Sequence, residues 1–184
     1  MSITLTKSKK LGCISAMPGI RAIGIGAYDS VTKLVTTATG LSDPASISAA
    51  FGAGTIARLE VKNTTTNYIE NGISGGDNRS KGVTGNVPLI LNVPDGADLE
   101  YVAIVNQLIS CEAVLFLEMN NGTIKAAGSQ NGALAITADD QTGGTIGDLN
   151  GFTVTFNTLE PDFSRGYLLS GAGLTEYASA LMVY

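Results

Sequence analysis

Residues 95–128 read DGADLEYVAIVNQLISCEAVLFLEMNNGTIKAAG, and the fold turns on this stretch. Its first half has a helical period. Tyr101, Val102, Ile104, Val105, Leu108 and Ile109 fall on one broad stripe of a 3.6-residue wheel, with Glu100, Ala103, Asn106, Gln107 and Ser110 opposite. Pro94 ends the preceding strand. Asp95 suits the N-cap and Asp98 the capping-box position, both at the positive end of the helix dipole. A helix is therefore expected over about residues 96–110, too short and too polar to span a bilayer. Val114, Leu115, Phe116 and Leu117 follow as an unbroken apolar run, the pattern of a strand buried on both faces. Asn121-Gly122 is a hairpin signal, because both residues accept a positive φ, and Thr123–Ala127 is the return strand.

Outside this stretch the chain reads as strand and turn. Residues 19–29 (GIRAIGIGAYD) suggest a half-buried strand through Ile20 and Ala22, and Lys33–Thr37 a partner strand. Ser42-Asp43-Pro44 opens a possible helical turn. Thr55–Lys62 alternates Ile56, Arg58, Glu60 and Lys62, a strand with one charged face, and 64–73 continues extended. Residues 72–85 (GISGGDNRSKGVTG) have too little apolar side chain to pack and read as a long polar loop. Val83–Val93 re-enters the sheet, with Pro88 marking an edge or a bulge. Ala133–Thr137 reads as a short strand and 138–150 as a second polar loop. Phe152, Val154 and Phe156 alternate with Thr153, Thr155 and Asn157 in a half-buried strand; Ala178–Tyr184 reads as a final strand or arm.

The chain has 184 residues, enough for one domain, here with an N-terminal arm over 1–12. Its 44% hydrophobic content supports a packed core, yet only 15% is charged, against roughly 25% in soluble domains. Gly is abundant, at 23 residues. Few charges and many small polar groups fit a subunit that hides surface in its neighbours. The net charge of −5 argues against a general nucleic-acid-binding face; Lys7, Lys9 and Lys10 form the one basic cluster and read as a solvated arm. The polar N-terminus MSITLTKSKK gives no expectation of a secretory leader, so the sequons at Asn63, Asn78 and Asn121 read as composition.

No catalytic motif stands out. There is no histidine, which removes His-dependent triads and His-ligated zinc. Gly24-Ile25-Gly26 begins like a dinucleotide motif, but Asp29 occupies the third glycine position and no helix is expected after it. Asp139, Asp140, Asp148 and Asn150 have part of a calcium-loop look without its spacing or its terminal Glu. Cys13 and Cys111 form no paired motif, and Cys111 reads as a small buried hydrophobe.

Four segments together resemble the tail tube proteins of long-tailed bacteriophages, most closely those of Bacteroidetes hosts. They are ITLTK…LGC…PGIRAIGIGAYD, ENG…NVPLILNVPD, the helix-hairpin unit ending MNNGTIKAAG, and GDLNGFTVTFNTLEP. The resemblance lies in order and spacing across most of the chain. It implies a mainly β fold, a β-sandwich or partial barrel with one flanking helix. It also implies a non-enzymatic virion protein without cofactor or metal. Six copies would form a ring whose inner strands join into one barrel, and rings would stack into a tube that DNA traverses without specific binding. The implied partners are further copies and other tail proteins: tape measure, terminator and baseplate hub. No membrane partner is implied; the location is the phage tail, with assembly in the host cytoplasm. Subunit contacts are expected from the arm (Ser2, Ile3, Lys7, Lys9), the polar loop (Asp77, Arg79, Lys81) and the C-terminus (Tyr184). The alternatives are a capsid decoration protein, a tail terminator or an adhesin, and, from a different class, a glycan hydrolase working through two close carboxylates.

Overall fold

The computed structural model describes residues 19–28, 51, 53–61, 67–74, 81–92, 99–142, 150–160 and 172–182. Eight strands form one sheet: β1 (Ile20–Ala27), β2 (Ala57–Glu60), β3 (Ile69–Ser74), β4 (Lys81–Asn92), β5 (Ala113–Met119), β6 (Ile124–Ala127), β7 (Ala133–Gln141) and β8 (Gly151–Glu160). The strand order is β2-β1-β5-β7-β8-β4-β3, with β6 also on β5, and every pairing is antiparallel. Two helices accompany it, α1 (Leu99–Ser110) and α2 (Ala172–Ala180).

β5 is the centre. β1 pairs along its whole length on one side. On the other side β6 takes Leu115–Glu118, while β7 touches only through Ala113 and Ala133. The sheet is thus two four-strand halves joined at that one pair. The apolar run behaves as its composition requires, with one side chain set on each face. Ala113, Leu115 and Leu117 enter a cluster with Ile23, Ile25, Leu59, Val154 and Phe156, drawn from both halves and joined by Val105 and Leu108 of α1. Val114 and Phe116 enter a second cluster with Phe51, Ile56, Ile124 and Ala126, joined by Tyr177 and Ala180 of α2.

The α1 stripe is narrower than the wheel suggests. Val105 and Leu108 are buried and Ile104 packs beside them, but Val102 and Ile109 are exposed. The N-cap residues Asp95 and Asp98 lie outside the described residues. Cys111, expected buried, is exposed one residue beyond the helix, where its N–H donates to the Gln107 carbonyl. The β5–β6 connection spans four residues, Asn120–Thr123: Met119 N donates to Thr123 O and Gly122 N to Met119 O, with Gly122 at φ 81°. That is a turn closed by a left-handed glycine.

Several expectations change. α2 is a second helix that takes in Ala178–Ala180, expected as strand or arm; beyond it, among the described residues, Leu181 alone makes a bridge, to Ile56. The stretch 72–85 is no loop in its described parts, since Gly72–Ser74 pairs with Lys81–Val83 as the end of a β3–β4 hairpin. Pro88 sits where β3 has already stopped, two residues past its last partner Asn86, an edge-like place within an inner strand. β7 runs through Asp139 and Asp140, which pair with Thr153 and Phe152 and so lie on opposite faces. They do not form a shared cation loop, and Asp148 lies outside the described residues. The readings over 33–50 lie there too.

Gly24 and Gly26 have a packing role. A Cβ on Gly24 would stand 2.3 Å from the Tyr177 hydroxyl, and one on Gly26 2.4 Å from the Phe51 ring. These glycines form the floor on which both rings rest. Gly24→Ala is therefore expected to lift Tyr177 and lower stability by about 1–3 kcal/mol, the usual cost of overpacking. Urea denaturation of wild type and variant measures this directly.

Candidate functional site

The most organised polar group lies on the α2 side of the sheet. Glu118 follows Phe116 on the same face of β5 and is 3% exposed. Arg58, on β2, donates Nε and Nη2 to its two oxygens at 2.9 and 3.0 Å, and Nη1 to Glu60 at 3.1 Å. The Tyr177 hydroxyl donates to Glu118 Oε1 at 3.0 Å. Arg21 Nε donates to Oε2 at 3.2 Å. A bulge makes this last contact possible: β1 pairs Ile20 with Met119 and Ala22 with Glu118, leaving Arg21 as the extra residue. A bulge re-aims a side chain. Here Ile20 and Ile23 both reach the first cluster while Arg21 reaches Glu118.

Burial pushes the Glu118 carboxyl upward, but the Arg58 fork, the Tyr177 hydroxyl and the two positive charges outweigh it and hold it below the usual carboxylate range. Burial, then the Glu118 charge, pushes the Tyr177 phenol up. The sign for stability follows. The unfolded chain binds a proton at Glu118 near pH 4.3, the folded chain only at lower pH. The centre is fully stabilising above that pH and loses its contribution as pH falls toward the folded value. Acid titration of unfolding free energy is expected to fall across this window, and to fall less steeply in Glu118→Gln. This centre binds α2 to the sheet.

A cavity of about 260 Å³ lies where the bottom of β1 and β5 meets α1 and Met182. Ile25, Ala57, Ile104, Leu108 and Ala113 make it apolar, with Gln107, Cys111 and Glu112 among its polar lining. Among the described residues no three acidic, cysteine or histidine side chains are grouped to hold a metal ion, and no helix is long and apolar enough to cross a membrane.

The other half of the sheet presents a different surface. Leu134, Asn157, Asn86 and Ile69 fall in one register row across β7, β8, β4 and β3. Leu159 is two residues from Asn157 on the same face. Ile69, Leu134 and Leu159 are each more than half exposed, and Thr153 and Thr155 continue that face. β3 ends the sheet, and among the described residues no strand covers its outer edge. Such an edge is a template for another strand.

No family model, curated protein or solved structure matches the chain.

Of the expected contact residues, one lies among the described residues. Lys81 begins β4 opposite Ser74, at the tip of the β3–β4 hairpin. Ser2, Ile3, Lys7, Lys9, Asp77, Arg79 and Tyr184 lie outside the described residues. Sequence reasoning missed the Glu118 centre because its members are far apart in the chain: Arg21 and Glu118 are separated by 97 residues. The bare signal was Glu118 itself, a charge closing an otherwise apolar run.

Proposed function

We propose that this chain is a self-assembling structural subunit of the phage tail-tube type, six copies closing a ring and rings stacking into a conduit for DNA. The observation that carries the reading is a β3 edge that no strand covers among the described residues, beside an adjoining face of exposed Ile69, Leu134 and Leu159. A single sheet edge with half-exposed apolar neighbours is a hazard on a monomer and an asset in an assembly. The low charged fraction, 15%, supports the same reading. A non-enzymatic role goes with it: the buried Glu118 carboxylate is bound by Arg58, Arg21 and Tyr177.

Sedimentation velocity on the purified full chain, over a concentration series, tests the proposal. The expected result is a discrete hexamer-sized species with larger multiples above it. A discrete trimer would favour the capsid decoration reading instead, and a monomer at every concentration would remove both.

A further inference from the structure

The strand register gives the molecule two chemically different ends. β5 runs from Ala113 toward Glu118, and β7 starts opposite Ala113 and runs the other way through Asp139 and Asp140. At about 3.3 Å per residue, Glu118 and Asp139 stand roughly 35 Å apart along the strand direction. The Glu118 end holds Arg21 and Arg58, with Lys125 one pair away, opposite Leu117; the exposed Glu60 at the same level is taken up by Arg58. The far end holds Asp139 and Asp140, both exposed, and Glu112 lies toward it, just before β5; among the described residues no basic side chain accompanies them.

Arg21 is the notable group at the first end. Its Nε is fixed on the buried Glu118, while its side chain remains 53% exposed. Among the described residues its two terminal nitrogens have no partner. Arg58, by contrast, uses all three of its nitrogens on Glu118 and Glu60. A guanidinium held through Nε has its outer N–H groups already oriented, the geometry that receives a carboxylate in a fork.

We propose that copies stack head to tail along the strand direction, Arg21 of one copy receiving the Asp139–Asp140 end of the next. The partner is a second copy of this chain, chosen by charge complementarity: the oriented cation at one end fits the carboxylates at the other, which no basic side chain accompanies among the described residues. A contact between two different patches is heterologous, so it propagates and does not stop at a pair. The inference rests on the assembly reading and names the polar contact between its stacked layers.

The test uses three full-length chains: wild type, Arg21→Gln, and Asp139→Lys/Asp140→Lys. Both variants leave the Arg58–Glu118 pair in place, and the second changes only exposed positions. Wild type is expected to stack at low ionic strength and to unstack as salt rises. Each variant alone is expected to need a roughly tenfold higher concentration to stack. Mixed together, the variants retain one acidic end and one Arg21 between them, so their stacks are expected to stop at two layers. If wild type stacks and both variants stack equally well, this inference fails and the assembly reading survives. If wild type never associates, both fail.

Discussion

Replacing Phe116 by alanine is expected to lower the unfolding free energy by about 3–5 kcal/mol, the range for deleting a fully buried phenylalanine. Phe116 has no exposed surface and occupies the middle of the strand that carries both cores. Its ring meets Phe51 edge-on at 5.6 Å and Tyr177 at 5.0 Å. Each aromatic contact adds about 0.5–1.5 kcal/mol beyond burial. The cavity cannot collapse easily, because Gly24 and Gly26 beneath those rings supply no side chain to fill it. Denaturant unfolding followed by tyrosine fluorescence gives the number, and the change should lie in the midpoint and not in the slope. Leu134→Ala, at an exposed position, is the control and should shift stability by no more than about 0.5 kcal/mol.

Replacing Glu118 by alanine is expected to cost about 3 kcal/mol, near the lower end for breaking a buried ion pair. The Tyr177 hydroxyl then loses its acceptor inside the core, a loss of about 1–3 kcal/mol by itself. Arg58 and Arg21 retain some access to water, which keeps the cost below that of a wholly buried pair. Glu118→Gln preserves an acceptor for Tyr177 and should cost clearly less. The two substitutions therefore separate the hydrogen bond from the charge. Hydrogen exchange adds a spatial readout. In Glu118→Ala the amides of α2 should lose protection before those of β5, because Tyr177 is the side chain through which α2 bonds the sheet.

The helix-hairpin unit was legible because its signals are local. The period over 101–109, the apolar run at 114–117 and the Asn121-Gly122 turn each lie within a few residues, and α1, β5 and β6 appear where those signals place them. α2 was not legible. In AGLTEYASA the described buried side chains are Tyr177 and Ala180, and Gly173, Thr175 and Ser179 are weak helix formers. Its helicity derives from packing on Phe116, which no window of sequence contains. The β3–β4 hairpin was hidden for another reason: backbone pairing in its glycine- and serine-rich end needs no apolar pattern. Asp139 and Asp140 masked the length of β7 in the same way, since a strand that leaves the core keeps its hydrogen bonds without alternation. Gly24-Ile25-Gly26 resembled a phosphate loop in composition; in the fold the two glycines make room for aromatic rings.

The candidate assembly surface was legible only in outline. A low charged fraction is a property of composition, but the row from Leu134 to Ile69 exists only once β7, β8, β4 and β3 are in register. Arg21 shows the same limit. In sequence it is one cation beside a glycine-rich strand. The bulge at Ile20/Ala22 turns it onto Glu118, and among the described residues its outer N–H groups have no partner.

A negative-stain image of the purified full-length chain bears most directly on the assembly of this protein. Rings of six copies, alone at moderate salt and stacked into tubes at low salt, are the predicted result. A field of separate monomers under both conditions, at concentrations where sedimentation finds no larger species, would contradict it.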